Sequence, residues 1–167
     1  MRMLHVGSGN LFGGIETLLC SLAEHDARSS GATDHFALCF EGPLSERLQA
    51  LGARVSSLGD VRFRNPLSVR RARRALMGLL RETRFDAAIC HSVWAQALFG
   101  GTIRGAGLTS LFWLHGPAHG RGWLERLASR SRPDFAIANS HYTNGTLDRL
   151  YPGVSREVLY PPLDTPG

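Results

Sequence analysis

The 167 residues are 43% apolar and 20% charged, an ordinary balance for a globular chain with room for one sizeable core. All 19 basic residues are arginine and 14 residues are acidic, a formal charge of +5. The lack of lysine excludes a P-loop and Schiff-base chemistry, because each needs a lysine amine at its centre. Cys20, Cys39 and Cys90 stand singly with no CxxC spacing, so neither a disulfide framework nor a zinc ribbon is expected.

In chain order, Met3 to Val6 reads as a short apolar strand that runs into Gly7-Ser8-Gly9-Asn10-Leu11-Phe12-Gly13-Gly14. A helix follows from Gly14 to about Asp26, with Ile15, Leu18, Leu19, Leu22 and Ala23 at core-facing spacing. Strand, loop and helix in that order make an anion site: glycines admit a ligand close to the backbone, and the first unpaired N–H groups of the helix point at it.

A second strand is expected at His35 to Phe40, a short helix from Gly42-Pro43 to Leu51 and a third strand at Ala53 to Ser57. Pro66 opens a long helix to about Thr83, with Val69, Ala72, Leu76, Leu79 and Leu80 inward and Arg70, Arg71, Arg74 and Arg81 outward. Ala87 to Cys90 forms a fourth strand ending at His91-Ser92; the next helix, through Gln96 to Leu98, is weakened at Gly100-Gly101. Ser110 to Leu114 is a fifth strand ending at His115-Gly116-Pro117, and a helix at Trp123 to Ser129 and a sixth strand at Phe135 to Ala138 follow. Ser140 then caps a helix to about Tyr151, and Val158-Leu159-Tyr160 leads out.

This alternation predicts an α/β fold, a Rossmann-like doubly wound parallel sheet with helices on both faces. With strand order 3-2-1-4-5-6, the Gly7 to Gly14 loop, His91-Ser92 and His115-Gly116 share one crevice beyond the carboxyl ends of the strands. A dinucleotide fits poorly: Phe12 stands where GxGxxG needs its third glycine, and Glu41 lies beyond the usual offset of about 20 residues for a ribose-binding acid. His115 and His119 are separated by Gly116-Pro117, which denies them the helical geometry of a zinc pair. Ser140 lacks the G-x-S-x-G surroundings of a nucleophile.

Taken together, Gly13-Gly14-Ile15-Glu16, His115-Gly116, Ala136-Ile137-Ala138-Asn139-Ser140 and Val158-Leu159-Tyr160-Pro161-Pro162-Leu163-Asp164 resemble the N-terminal, acceptor-side half of a family 4 retaining glycosyltransferase of the GT-B fold. The resemblance implies a Rossmann-like domain over residues 1–160 and, over 161–167, the start of a hinge to a C-terminal donor-binding domain. It also implies transfer of a sugar from a nucleotide-sugar donor to a glycan, lipid-linked or small-molecule acceptor, with this half inactive alone. Gly13 and Gly14 match the loop that approaches donor diphosphate and acceptor, and His115 matches the histidine beside the reacting sugar. A helix N-terminus stabilises a departing diphosphate, so no metal cofactor is expected.

Other readings stay open at this point. Gly13 and Gly14 also suit a plain tight turn, Glu16 either complements the helix dipole or touches ligand, and His91, Ser92 and Gly116 rest on strand-end position. The arginines of the Pro66 helix are either a solvated face or, through Arg70, Arg71 and Arg74, a peripheral contact with anionic membrane; no nucleic-acid signature accompanies them. The short apolar start and the lack of a membrane-length run suggest a cytoplasmic protein, peripheral at the inner membrane face if the arginines dock. A non-catalytic nucleotide- or sugar-binding module is the alternative, ahead of an NAD-dependent oxidoreductase.

Overall fold

A computed structural model describes residues 1–9, 13–28 and 34–160. The Asn10-Leu11-Phe12 stretch of the first loop and the expected hinge at 161–167 lie outside the described residues. The first half of the chain runs β1 (Met3–Gly7), α1 (Gly14–Arg28), β2 (His35–Leu38), α2 (Pro43–Ala50), β3 (Arg54–Ser57) and α3 (Pro66–Glu82). The second runs β4 (Ala87–Cys90), α4 (Val93–Gly105), β5 (Thr109–Leu114), α5 (Trp123–Ala128), β6 (Phe135–Ala138), α6 (His141–Thr146) and β7 (Ser155–Val158).

The strands form one sheet in the order β3-β2-β1-β4-β5-β6-β7, and every neighbouring pair is parallel. The expected order is therefore observed, with β7 added at the edge. Sequence patterning finds only the end of β7, because Ser155-Arg156-Glu157-Val158 is half exposed and mostly polar, as an edge strand can be. Strands buried on both faces read instead as continuous apolar runs, such as Ala87-Ala88-Ile89-Cys90.

Alternation along each strand divides the core between the two faces of the sheet. Leu4, Val6, Cys90, Phe112 and Ala136 pack with Ala72 and Leu76 of α3 and with Leu98, Phe99 and Ile103 of α4. Phe36 and Leu38 meet Leu19, Cys20 and Ala23 of α1 and Leu44 and Leu48 of α2 on the other face, where Ile89 and Trp113 also contact Leu18 of α1. All three cysteines are free and buried, and burial pushes the Cys39 thiol up to about 12.

Two local expectations are corrected. The helix expected from Ser140 to about Tyr151 stops at Thr146 and tightens into a 3-10 turn at Leu147–Arg149. Its Thr, Asn and Gly residues are weak helix formers, while Tyr151 turns inward, is 1% exposed and donates its hydroxyl to the Ala128 carbonyl at 2.9 Å. Helix α4, expected to weaken at Gly100-Gly101, continues to Gly105. Those glycines serve close packing: a Cβ at Gly100 would lie 2.6 Å from Gln96 Nε2 and 3.0 Å from Ser131 Cβ, and Gln96 Nε2 is already committed to the Ser131 carbonyl at 2.7 Å.

Gly100→Val should therefore lower unfolding free energy by about 1–3 kcal/mol, the range for overpacking, even though valine is the better residue for a buried interior. Equilibrium urea denaturation checks this; a variant as stable as the parent would mean that the contact between α4 and Ser131 yields without cost.

Candidate functional site

Parallel pairing places Val6 beside Cys90 and Cys90 beside Phe112, so the carboxyl ends of β1, β4 and β5 share one edge. The N-terminus of α1 lies over that edge. Here the expected single crevice proves to be two lobes divided by Gly14 and Ile15, which line both. The larger, about 760 Å³, is bounded by Gly7 to Gly9, Gly13, Glu16, His91, Ser92 and Trp94. The smaller, about 590 Å³, is bounded by Thr17, Leu18, Ser21, His115, Gly116 and Asn139.

The loop backbone is held close to β2, with Ser8 O accepting from Cys39 N at 3.1 Å and from Phe40 N at 2.9 Å. Gly9, at φ 89°, is required there: a Cβ would stand 2.6 Å from the Phe40 carbonyl oxygen. Gly14 is different. A Cβ at Gly14 would meet nothing within 4 Å, so the protein itself has room for a side chain at this position.

Glu16 is buried, and its Oε2 accepts from the Gly13 N–H at 2.9 Å, the return bond of a capping box. The dipole-complementing role thus has a geometry: a carboxylate covers one donor of the first turn. Among the described residues no group accepts from the N–H of Gly14 or Ile15, so these donors remain at the boundary of the two lobes. Ser92 directs its hydroxyl oxygen at Ala95 N, 3.0 Å away, as the N-cap of α4, while its residue still lines the larger lobe. Ser140 likewise caps α6.

The two lobes are joined through imidazoles. His91, 1% exposed, has its Nδ1 3.3 Å from His115 Nε2 and its Nε2 2.8 Å from His5 Nδ1. Trp113 lies nearly parallel to the His115 ring at 5.3 Å. Asn139 fixes the other side of His115 by donating from Nδ2 to its carbonyl at 2.7 Å. Burial holds His115 down at about 4, and burial together with the neighbouring His5 and His115 holds His91 well below the usual imidazole range. Both are therefore neutral at pH 7 and can accept a hydrogen bond or a proton only at an unprotonated nitrogen.

Sequence reasoning missed His5, Trp94 and Asn139. A histidine inside an otherwise apolar strand, Leu4-His5-Val6, was the available signal for the first. Asn139 sits within a stretch that the resemblance already singled out, and Trp94 is indistinguishable by pattern from a core aromatic.

The family model for Glycosyltransferase Family 4 matches residues 12–166. This chain belongs to glycosyltransferase family 4. Among solved structures, Anabaena HepE in complex with UDP-glucose is similar at a TM-score of 0.77 and 17% identity, over 98% of this chain and 44% of that one. The lipopolysaccharide outer core galactosyltransferase WaaB, in its apo form, gives 0.74 and 19% over 98% and 46%. Acinetobacter baumannii MurG gives 0.64 and 15% over 84% and 42%. This family 4 chain thus spans less than half the length of each, and at these identities the likeness shows the shared fold. No curated protein sequence matches significantly.

Neutral buried histidines set the acid stability of this family 4 domain. Because the folded-state values of His91 and His115 lie below the ~6.5 of free imidazole, the unfolded chain binds more protons as pH falls. Stability is then complete above about pH 6.5 and declines below it, by on the order of 1 kcal/mol or more for His115 by pH 5, with His91 acting in the same direction. Urea denaturation at pH 7.5 and pH 5 measures the difference; equal midpoints at constant m-value would contradict neutral burial.

Proposed function

We propose that the domain is the acceptor-side half of a retaining glycosyltransferase that uses a nucleotide-sugar donor, with the reacting groups meeting at the two lobes beside α1. The observation that carries this reading is the position of Gly14 and Ile15, whose N–H groups have no acceptor among the described residues and stand between one lobe containing His91 and another containing His115. A diphosphate at the helix start and a hydroxylic acceptor at His115 would be adjacent there. That HepE is described in complex with UDP-glucose supports a nucleotide-sugar for this fold.

Neither lobe is lined by an arginine among the described residues, although the chain has 19 basic residues. Backbone donors without a fixed cation suit a surface that approaches a diphosphate while another domain carries its main charge contacts. In the proposed front-face transfer, negative charge grows on the departing phosphate oxygen as the sugar becomes oxocarbenium-like, and the α1 donors meet that charge without reorganising. The reading requires no metal ion. The neutral His115 ring supplies a polar contact to an acceptor hydroxyl; Trp113 packs against the ring, and Asn139 holds the His115 backbone carbonyl.

A peripheral membrane contact belongs to the same proposal. Arg70, Arg71 and Arg74 are exposed on α3, Leu67 one turn earlier is 63% exposed, and Trp123, also 63% exposed, packs edge-on to Phe63 at 5.0 Å. Apolar side chains flanked by guanidinium groups suit an interface with acidic headgroups. Among the described residues no helix is long and apolar enough to cross a membrane.

In the protein that carries both domains, Gly14→Val should reduce turnover far more than stability, since the added side chain enters the open lobe rather than the core. His115→Ala should lower kcat on the order of a hundredfold, as loss of one transition-state contact does, with a modest fall in Tm because His91 Nδ1 loses its partner. Steady-state kinetics and thermal denaturation check both, and near-normal turnover by both variants would place the chemistry elsewhere. For the membrane contact, co-sedimentation with vesicles containing anionic phospholipid should be strong at low salt. Changing Arg70, Arg71 and Arg74 together to glutamine should abolish it; binding that is unaffected, or absent from the start, returns α3 to a solvated face.

A further inference from the structure

The histidine pair at the lobes extends inward. His5 lies mid-strand in β1 on the α1 side of the sheet, 5% exposed, and its Nε2 is 3.2 Å from Asp34 Oδ2. Asp34, Phe36, Ile89, His91, Trp113 and His115 follow the same strand alternation, so a half-buried carboxylate just before β2 and three imidazoles run beneath α1 across the sheet to the crevice. The contacts are Asp34 to His5 at 3.2 Å, His5 to His91 at 2.8 Å and His91 to His115 at 3.3 Å.

One end determines the direction of the whole chain. A neutral imidazole has one N–H and one lone pair. At His5 a lone pair on Nε2 would face the Asp34 carboxylate, so the proton belongs on Nε2 even though the contact is an electrostatic one outside good hydrogen-bond geometry. In a His5 that carries only this one proton, Nδ1 is an acceptor, which requires His91 Nε2 to donate; a second proton on His5 would reverse every later step. His91 Nδ1 in turn accepts, which requires His115 Nε2 to donate. His115 Nδ1 is left with a lone pair, and it has no hydrogen-bond partner among the described residues, in a ring that lines the smaller lobe.

We infer that Asp34, His5 and His91 are positioning residues that hold His115 in its Nε2–H tautomer, so that Nδ1 is presented as an acceptor for a hydroxyl of the molecule bound beside α1. The direction comes from the Asp34 end of the chain, with His5 carrying one proton. The hydroxyl-bearing ligand rests on the glycosyltransferase reading above. With the proton reversed, the same ring would offer an N–H and select an oxygen lacking a proton instead.

Nitrogen-15 NMR of the imidazoles at pH 7.5 reads each tautomer directly. In the parent chain His5, His91 and His115 should each show a protonated Nε2 and a pyridine-like Nδ1. Asp34→Leu, at a residue that does not line either lobe, should convert His115 to a mixture of tautomers, while Asp34→Asn, which keeps an acceptor oxygen, should preserve the single form. The backbone amide spectrum verifies that each variant is folded, and the parent pattern alone is a test should Asp34→Leu not fold. A protonated Nδ1 on His115 in the parent, or a His115 tautomer indifferent to Asp34→Leu, would overturn the inference. In the two-domain enzyme Asp34→Leu should lower kcat severalfold with little change in donor KM and Asp34→Asn should restore it; a shifted tautomer with unchanged kcat would leave the relay standing and remove its role toward the hydroxyl.

Discussion

The candidate site depends on the parallel register of β1 and β4. Val6 lies beside Cys90, and His91 N donates to Val6 O at 3.1 Å, so β4 ends at the level where β1 gives way to its loop. A shift of one residue would exchange the two faces of β4, sending His91 into the apolar cluster under α3 and α4 and Cys90 toward α1. The register is fixed by two-sided burial: Ala88 and Cys90 are fully buried on one face while Ile89 packs with Leu18 and Trp113 on the other. Site geometry is thus a consequence of core packing, and α1 follows because the loop after β1 must climb over the sheet edge to start it.

Burying three imidazoles under α1 looks unfavourable beside the aliphatic packing around them. An unpaired polar group in such a place costs free energy comparable to a lost hydrogen bond, and a charged one costs far more. The arrangement is tolerable because each inner ring nitrogen faces another polar atom and burial keeps His91 and His115 neutral. Phe36 lies nearly parallel to His5 at 5.0 Å and Trp113 to His115 at 5.3 Å, so the ring faces are covered while the edges make polar contacts. Such a chain has two self-consistent hydrogen-bonding directions, and only a group at its end can choose between them. Asp34 occupies that end.

Much of this was legible in the sequence. Strands buried on both faces announce themselves as apolar runs, and Pro66 and Ser140 mark helix starts where they were expected. His91 and His115 were found because residues directly after parallel strands must face the ligand edge. His5 was not, since its functional importance lies in long-range contact with a residue 86 positions away, which no local pattern encodes. The division into two lobes was equally hidden: it depends on how far α1 advances over the sheet. Glycine was the least decidable residue. Gly9, Gly14 and Gly100 are alike on paper, yet one is required by backbone conformation, one faces open space and one admits a neighbouring element.

The charge balance at the start of α1 gives the site its character. A helix N-terminus carries about half a positive charge, and a carboxylate within the first turn offsets it. Glu16 is such a carboxylate and takes the Gly13 N–H for itself, and among the described residues lining the lobes no arginine stands by Gly14 and Ile15 to reinforce them. A phosphate held by those donors alone would be bound weakly and in competition with Glu16. The same two donors are well suited to a phosphate delivered and largely neutralised by another surface, because they add directional contacts without trapping the product. Under the proposed function, this balance assigns α1 the positioning of a diphosphate at the boundary of the lobes more than its capture, and leaves selectivity to the ring of His115 on the other side.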